Sequence, residues 1–341
     1  MTGVVTNQEL RRRGADTLLV LAVAAVYYGA ARLGLLEQLV RGQVTPLWPP
    51  TGIAVAGLLV FGLRVWPGVA LGAFLANVAI GPTPLAVLAI VVGNTLAPVG
   101  SYLLLRRAGF HKELDRLRDA LALVFLGALG GMLISATVGS SGLVLSGALP
   151  AGDFWSTWSV WWTGDAMGVL VVAPFLLVLC KAQWPRGVAL RRWAEAATLL
   201  LGTLAVTLLA TAGASASLLF LVFPFLIWAA FRFELAGAAS CALGVSTLAI
   251  LAAGHGVGPF THKDLFTNMV TLQAFNGATA LTALLLAAVI TERNRTQEEI
   301  KRLCARLTDM VAAMPDHPVT DQWQTSDDPE DPCGGAGDGQ P

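Results

Sequence analysis

PLAVLAIVVGNTLAPVGSYLLL, Pro84 to Leu105, runs for 22 residues without a charge and stops at Arg106-Arg107. As a helix rising 1.5 Å per residue it is about 33 Å long, enough to cross the hydrocarbon core of a bilayer. Similar apolar runs lie on both sides of it: Ala15 to Leu36, Leu47 to Leu63, Val65 to Ile80, Ala120 to Leu149, Trp155 to Cys180, Trp193 to Ala214, Leu218 to Phe231, Leu235 to Ala253 and Leu265 to Ile290. Together they predict an all-α, polytopic transmembrane bundle of about ten crossings. The second, third and eighth runs along the chain are at or below the short end of spanning length. They read as tight hairpins sheltered by their neighbours, with eight crossings as the alternative.

Composition points the same way. Of 341 residues 55% are apolar and only 13% charged, about half the charge of a soluble chain. This excludes a cytosolic globular protein and leaves no room for a large soluble catalytic domain beside the helices. Arg11-Arg12-Arg13 followed by the run from Ala15 imitates a signal peptide, but the run continues to Leu36 and more follow, so it reads as a retained first crossing. Cys180, Cys241, Cys304 and Cys333 have neither disulfide-framework nor zinc-site spacing, and no cofactor is expected.

Positive loops stay in the cytoplasm. Ten crossings that start inside put nineteen Lys and Arg on the cytoplasmic side and only Arg32, Arg41 and Lys263 outside, which predicts cytoplasmic termini. Residues 1–14 are then a cytoplasmic N-terminus and 15–290 the membrane domain. At the short turn Arg232-Phe233-Glu234 the two opposite charges are expected to form a structural ion pair. Residues 291–314 change to a polar helix with Ile300, Leu303, Leu307, Met310 and Met314 on one heptad stripe, suited to a self-dimer or a cytoplasmic signalling protein. Residues 315–341, an acidic tail with Asp327, Asp328, Glu330 and Asp331, have too little to bury and are expected to be disordered. The basic clusters flank membrane runs and are explained by topology and anionic lipid, so no nucleic-acid partner is expected.

Polar side chains inside the apolar runs are few: Asn77, Asn94, Asp165, Gln273 and Asn276. Such groups are costly in lipid unless paired, and Asp165 most of all. Measured from the outer ends of the runs, most fall between the outer surface and mid-membrane, where they can meet in one outward-facing pocket. Trp48, Pro49, Pro50 and Thr51 lie at the same level, with Thr51 expected as a hydroxyl cap on the helix that starts there. Trp158, Trp161 and Trp162 precede Asp165 by one to two turns. Candidate ligand-binding residues are therefore Trp48, Thr51, Asn77, Asn94, Trp161, Trp162, Asp165, Gln273 and Asn276.

The strings Leu47-Trp48-Pro49-Pro50-Thr51-Gly52, Phe61-Gly62, Trp66-Pro67-Gly68, Gly72 to Asn77, Gly93-Asn94-Thr95 and Trp161-Trp162-Thr163-Gly164-Asp165-Ala166-Met167-Gly168, with Ala173-Pro174, resemble the type-one membrane-associated sensor domain family, MASE. The resemblance covers about residues 15 to 295. It implies a multi-pass sensory module of the bacterial plasma membrane, commonly placed before a histidine kinase, a cyclic-di-GMP enzyme or a phosphatase. About 51 residues follow Ile290, too few for such an output domain, and none of their motifs is present. The expectation is thus a non-enzymatic sensor that binds a small molecule or a proton and relays the signal through its last helix to a separate cytoplasmic partner.

Two other readings compete. Polar groups near mid-membrane in short Gly- and Pro-rich helices also suit a transporter of a small solute. Gly139-Ser140-Ser141-Gly142 with His255 resembles the Ser/His pair of a rhomboid-like intramembrane protease, Ser141 being the candidate nucleophile, although four small residues more often mark close helix packing.

Overall fold

The computed structural model describes residues 7–36, 45–181, 189–212, 216–261 and 265–313, and the described elements are helical. Lys263, Met314 and the acidic tail lie outside these residues, as does Arg41. The helices are α1 (Asn7–Leu36), α2 (Pro49–Phe61), α3 (Trp66–Asn77), α4 (Pro84–Arg107), α5 (Leu117–Ala122), α6 (Leu133–Leu145), α7 (Phe154–Met167), α8 (Ala173–Lys181), α9 (Leu190–Ala212), α10 (Phe223–Gly254) and α11 (Leu265–Ala313). Two π-helical segments, Leu123–Gly130 and Gly168–Val172, join α5 to α6 and α7 to α8, and they pack against each other.

Among the described residues, seven elements are by length and composition apolar enough to cross a membrane. Three of the ten runs have no element of their own among these seven, for two reasons. Helices α2 and α3 have 13 and 12 residues, about 20 Å at most, and form a hairpin turned at Gly62, whose φ of +79° suits a residue without a Cβ. They stand because neighbours shelter them: Pro50, Thr51, Gly52, Ala54, Val55, Ala56 and Leu58 of α2 are all buried. The runs before and after Glu234 are the two helical arms of α10, separated by a sharp kink where Glu234 takes φ +51°.

At that bend Arg232 and Glu234 do not pair with one another. Arg232 pairs with Glu195 at the start of α9, and the Glu234 carboxylate accepts a 2.9 Å hydrogen bond from Asn294. A left-handed residue between two helical arms turns its side chain away from its neighbour's, so each charge finds a partner on another helix.

Within residues up to Asn294, α1 packs on α3 and α2, α4 lies between α3 and α6, α6 lies on α7, and α9 lies on α10. Outside this core the helices display large apolar side chains such as Leu18, Leu33, Leu88, Leu201, Leu209 and Phe231, each at least 60% exposed. Water would penalise so continuous an apolar surface; a bilayer covers it without cost. The second unit, from Arg295, is helical to Ala313, and its Ile300, Leu303, Leu307 and Met310 are all exposed.

Candidate functional site

The approach to α2 runs against the middle of α7. The backbone N–H of Trp48 donates to the Gly164 carbonyl at 3.0 Å, and three glycines permit the contact. A Cβ on Gly164 would stand 2.4 Å from the Thr45 carbonyl oxygen, one on Gly168 2.1 Å from that of Trp48, and one on Gly52 2.2 Å from that of Gly168. Backbone therefore lies on backbone where the WPPTG and GDAMG strings cross. This is close packing by small residues, as membrane helices use it.

The crossing sets Thr51 beside Asp165. Thr51 makes no cap hydrogen bond; its hydroxyl donates to Asp165 Oδ1 at 2.7 Å. The reason is position: the helix already begins at Pro49 with Trp48 at the cap position, so Thr51 is its third residue. Ser135, two residues into α6, donates to Oδ2. Asp165 is 1% exposed, so both its oxygens are held by hydroxyls of two other helices, and among the described residues it has no Lys or Arg partner. Hydroxyls orient a buried carboxylate without neutralising it, and uncompensated charge in a membrane interior is expensive. The geometry favours whatever brings a positive charge or a proton to this point.

A cavity of about 30 Å³ opens on the acid, bounded by Trp48, Asn77, Ile90, Asn94, Trp161 and Asp165, with Leu35, Thr45, Ile80 and Gly164 completing it. That is room for one or two water molecules. Asn94 is buried with its side-chain oxygen unpaired, whereas Asn77 donates to the Ala73 carbonyl one turn back. Tyr27 of α1, fully buried, brings its hydroxyl close to Trp48 and Asn94. The Trp161 ring lies over Gly139, which explains the small residues there.

Five of the nine predicted site residues thus line one cavity: Trp48, Asn77, Asn94, Trp161 and Asp165, with Thr51 bonded directly to the acid. The other three lie elsewhere. Trp162 donates to the Leu129 carbonyl in a π-helical segment and stacks on Trp158. Gln273 of α11 donates to the Pro46 carbonyl at 2.9 Å, holding the loop before Trp48 rather than facing the cavity. Asn276 is fully buried with both side-chain polar atoms unpartnered. Ser135 and Tyr27 were not predicted. Ser135 is one of several Ser in its run, and no spacing distinguishes it from Ser140.

The Ser/His protease pairing is not assembled. His255 Nδ1 sits 2.7 Å from the Leu251 carbonyl of its own helix, and no hydrogen bond joins His255 to Ser140 or Ser141 among the described residues.

The cavity is formed by the ends of α1 and α3, the first half of α4 and the middle of α7. Arg11 to Arg13, Arg64, Arg106-Arg107 and Lys181 belong to the opposite ends of the same helices or their turns. A bundle of this kind, apolar outside and enclosing one hydroxyl-held acid, is a multi-pass membrane protein. The MASE1 profile matches residues 18–294, and the chain belongs to the MASE1 family of membrane sensor domains. It is also similar to a protein of Escherichia coli (strain K12) described as probable diguanylate cyclase DgcE, 28% identical over 141 residues. That alignment covers 40% of this chain and 12% of the length of the relative. No solved structure matches.

Proposed function

We propose that the protein is a non-enzymatic sensor whose Asp165 cavity takes up a proton, or a small cationic or hydrogen-bond-donating solute, from the outer face of the bacterial plasma membrane. One observation carries the reading: a fully buried carboxylate held by the hydroxyls of Thr51 and Ser135, with no Lys or Arg partner among the described residues, and walled by Trp48 and Trp161. Tryptophan faces attract cations, so the walls suit the same ligand as the acid. The outward placement rests on the basic ends of the helices, which are retained in the cytoplasm together with both termini; the bend at Glu234 then separates two crossings. Anything larger than two waters requires the cavity to widen. Widening is the means by which a ligand selects one packing over another, since equal affinity for both would shift nothing.

Gln273 supplies the route out. It ties the Pro46 carbonyl, in the approach to Trp48, to α11, so movement of the Trp48 loop is felt by the last helix. The exposed stripe Ile300, Leu303, Leu307, Met310 then engages a second copy or a cytoplasmic signalling protein. A diguanylate cyclase, the activity in the name of the relative, is the first candidate partner.

The test is thermal unfolding of reconstituted wild type and Asp165→Asn across external pH and across small ammonium compounds. The wild type is expected to be stabilised by acidification or by one of the amines, and the variant to lose that response. Equal responses would remove the acid from the reading. Transport is the second reading, favoured by Ser246, Asn276 and Thr279, which are buried without partners as in a polar solute path. Uptake by proteoliposomes that Asn276→Leu abolishes would establish it.

A further inference from the structure

At the basic end of α4 the helix terminates in a built turn. Gly109 takes φ +69°, its N–H reaches the Arg106 carbonyl, and the N–H of Phe110 reaches that of Leu105, the paired bonds of a Schellman cap. Arg118 closes the same end by donating to the Ala108 carbonyl at 2.7 Å. The buried Asp119 accepts from the backbone of His111 at 3.1 Å, and Leu114 is buried one turn on. His111 and Lys112 are thus presented from a fixed loop.

Between that loop and the end of α2 lies a pocket of about 290 Å³, lined by Leu59, Tyr102, Arg106, Phe110, His111 and Lys112, with Glu113 at its edge. This is close to the lower limit for small-molecule sites, about 300 Å³. Its charge is positive. Glu113 is occupied by Lys181 at 3.0 Å, while Arg106 and Lys112 have no carboxylate within 4 Å among the described residues. Its floor is aromatic and aliphatic, and the neighbouring Leu103 and Leu104 of α4 are exposed on the apolar surface that faces lipid. Cations above and apolar groups below, at the margin of a membrane bundle, suit a ligand that is itself anionic at one end and apolar at the other.

We infer that this pocket binds the phosphate headgroup of an anionic phospholipid, the phosphate between Arg106, His111 and Lys112 and the glycerol region against Tyr102, Phe110 and Leu59. The inference is independent of what Asp165 senses.

The experiment is titration of detergent-solubilised full-length protein with phosphatidylglycerol, followed by native mass spectrometry, with phosphatidylcholine of the same chains and inorganic phosphate as parallel probes. Phosphatidylglycerol is expected to be retained in preference to phosphatidylcholine, and phosphate alone to displace little of it. The double variant R106Q/K112Q should bind phosphatidylglycerol roughly tenfold more weakly, whereas R12Q/R13Q, equal in charge change and exposed at the start of α1, should bind as the wild type does. Equal losses in both doubles, or equal retention of the two lipids, would overturn the site. Full displacement by phosphate would overturn its assignment to lipid. If R106Q/K112Q does not purify, Lys112→Gln alone, an exposed change, must still weaken retention; wild-type retention by it overturns the proposal.

Discussion

Helix α4 borders two pockets, one in its first half and one at its basic end. At Asn94 it borders a cavity of about 30 Å³ beside a carboxylate; at Arg106 it borders one of about 290 Å³ that carries the cations Arg106 and Lys112. Only twelve residues separate them, about 18 Å along the axis. They differ in how they are made. The acid cavity depends on glycine backbones pressed on carbonyls, so its walls are fixed by the fold itself. The basic pocket is held by a helix cap, and its lining side chains protrude from a frame that does not need them.

The contrast predicts that substitutions near the acid damage folding while those near the cations change only binding. Gly168→Ala is expected to have the largest effect, about 3 kcal/mol, because its methyl would meet the Trp48 carbonyl oxygen at 2.1 Å. Loss of the monodisperse peak on size-exclusion chromatography would show it, and a wild-type profile would contradict backbone-on-backbone packing. Ser135→Ala should follow, at about 1–3 kcal/mol, since it strips a donor from a buried carboxylate. Combining it with Asp165→Asn should recover part of that loss in thermal melts, and simple additivity would deny the contact.

Gln273→Leu should cost less, about 1 kcal/mol, by releasing the Pro46 carbonyl. Its diagnostic effect is on coupling: cross-linking between the helices beyond Arg295 should stop responding to whatever stabilises the wild type. Smallest of all is the Glu113 pair at the rim of the basic pocket. Partial burial alone would raise the Glu113 carboxyl, but the hydrogen bond and charge of Lys181 outweigh it and hold the group below its usual range. The pair's stabilisation is therefore present at neutral pH and lost as pH falls through that lowered value. In acid melts Glu113→Gln should flatten the steepest part of the wild-type decline slightly.

Much of this was legible in the residues. Apolar runs announced the helices, whereas the glycine packing by which the WPPTG and WWTGD strings cross was not read from the sequence and emerges only where carbonyls approach Gly52, Gly164 and Gly168. Asn94, Trp48, Trp161 and Asp165 were grouped by depth alone. Depth does not determine direction, however. Trp162 is next to Trp161 yet serves Leu129, and Gln273 shares a level with the cavity yet grips Pro46. Thr51 was assigned to a cap because the sequence shows a hydroxyl at a helix start but not the acid waiting 114 positions away. The break between the two arms of α10 falls at the charged turn Arg232-Phe233-Glu234, where hydropathy drops, but hydropathy does not show that Glu234 takes φ +51°.

The π-helical segment Leu123–Gly130 ends five positions before Ser135. Such a segment is an α-helix with a surplus residue wound into it. Deleting one residue there would restore regular pitch and rotate everything downstream by about 100°, carrying the Ser135 hydroxyl off the carboxylate although no atom of either side chain had been altered. The number of residues in that helix is therefore as much a ligand of the acid as the hydroxyl is, and related chains should resist insertions and deletions there more firmly than they resist changes of apolar side chain.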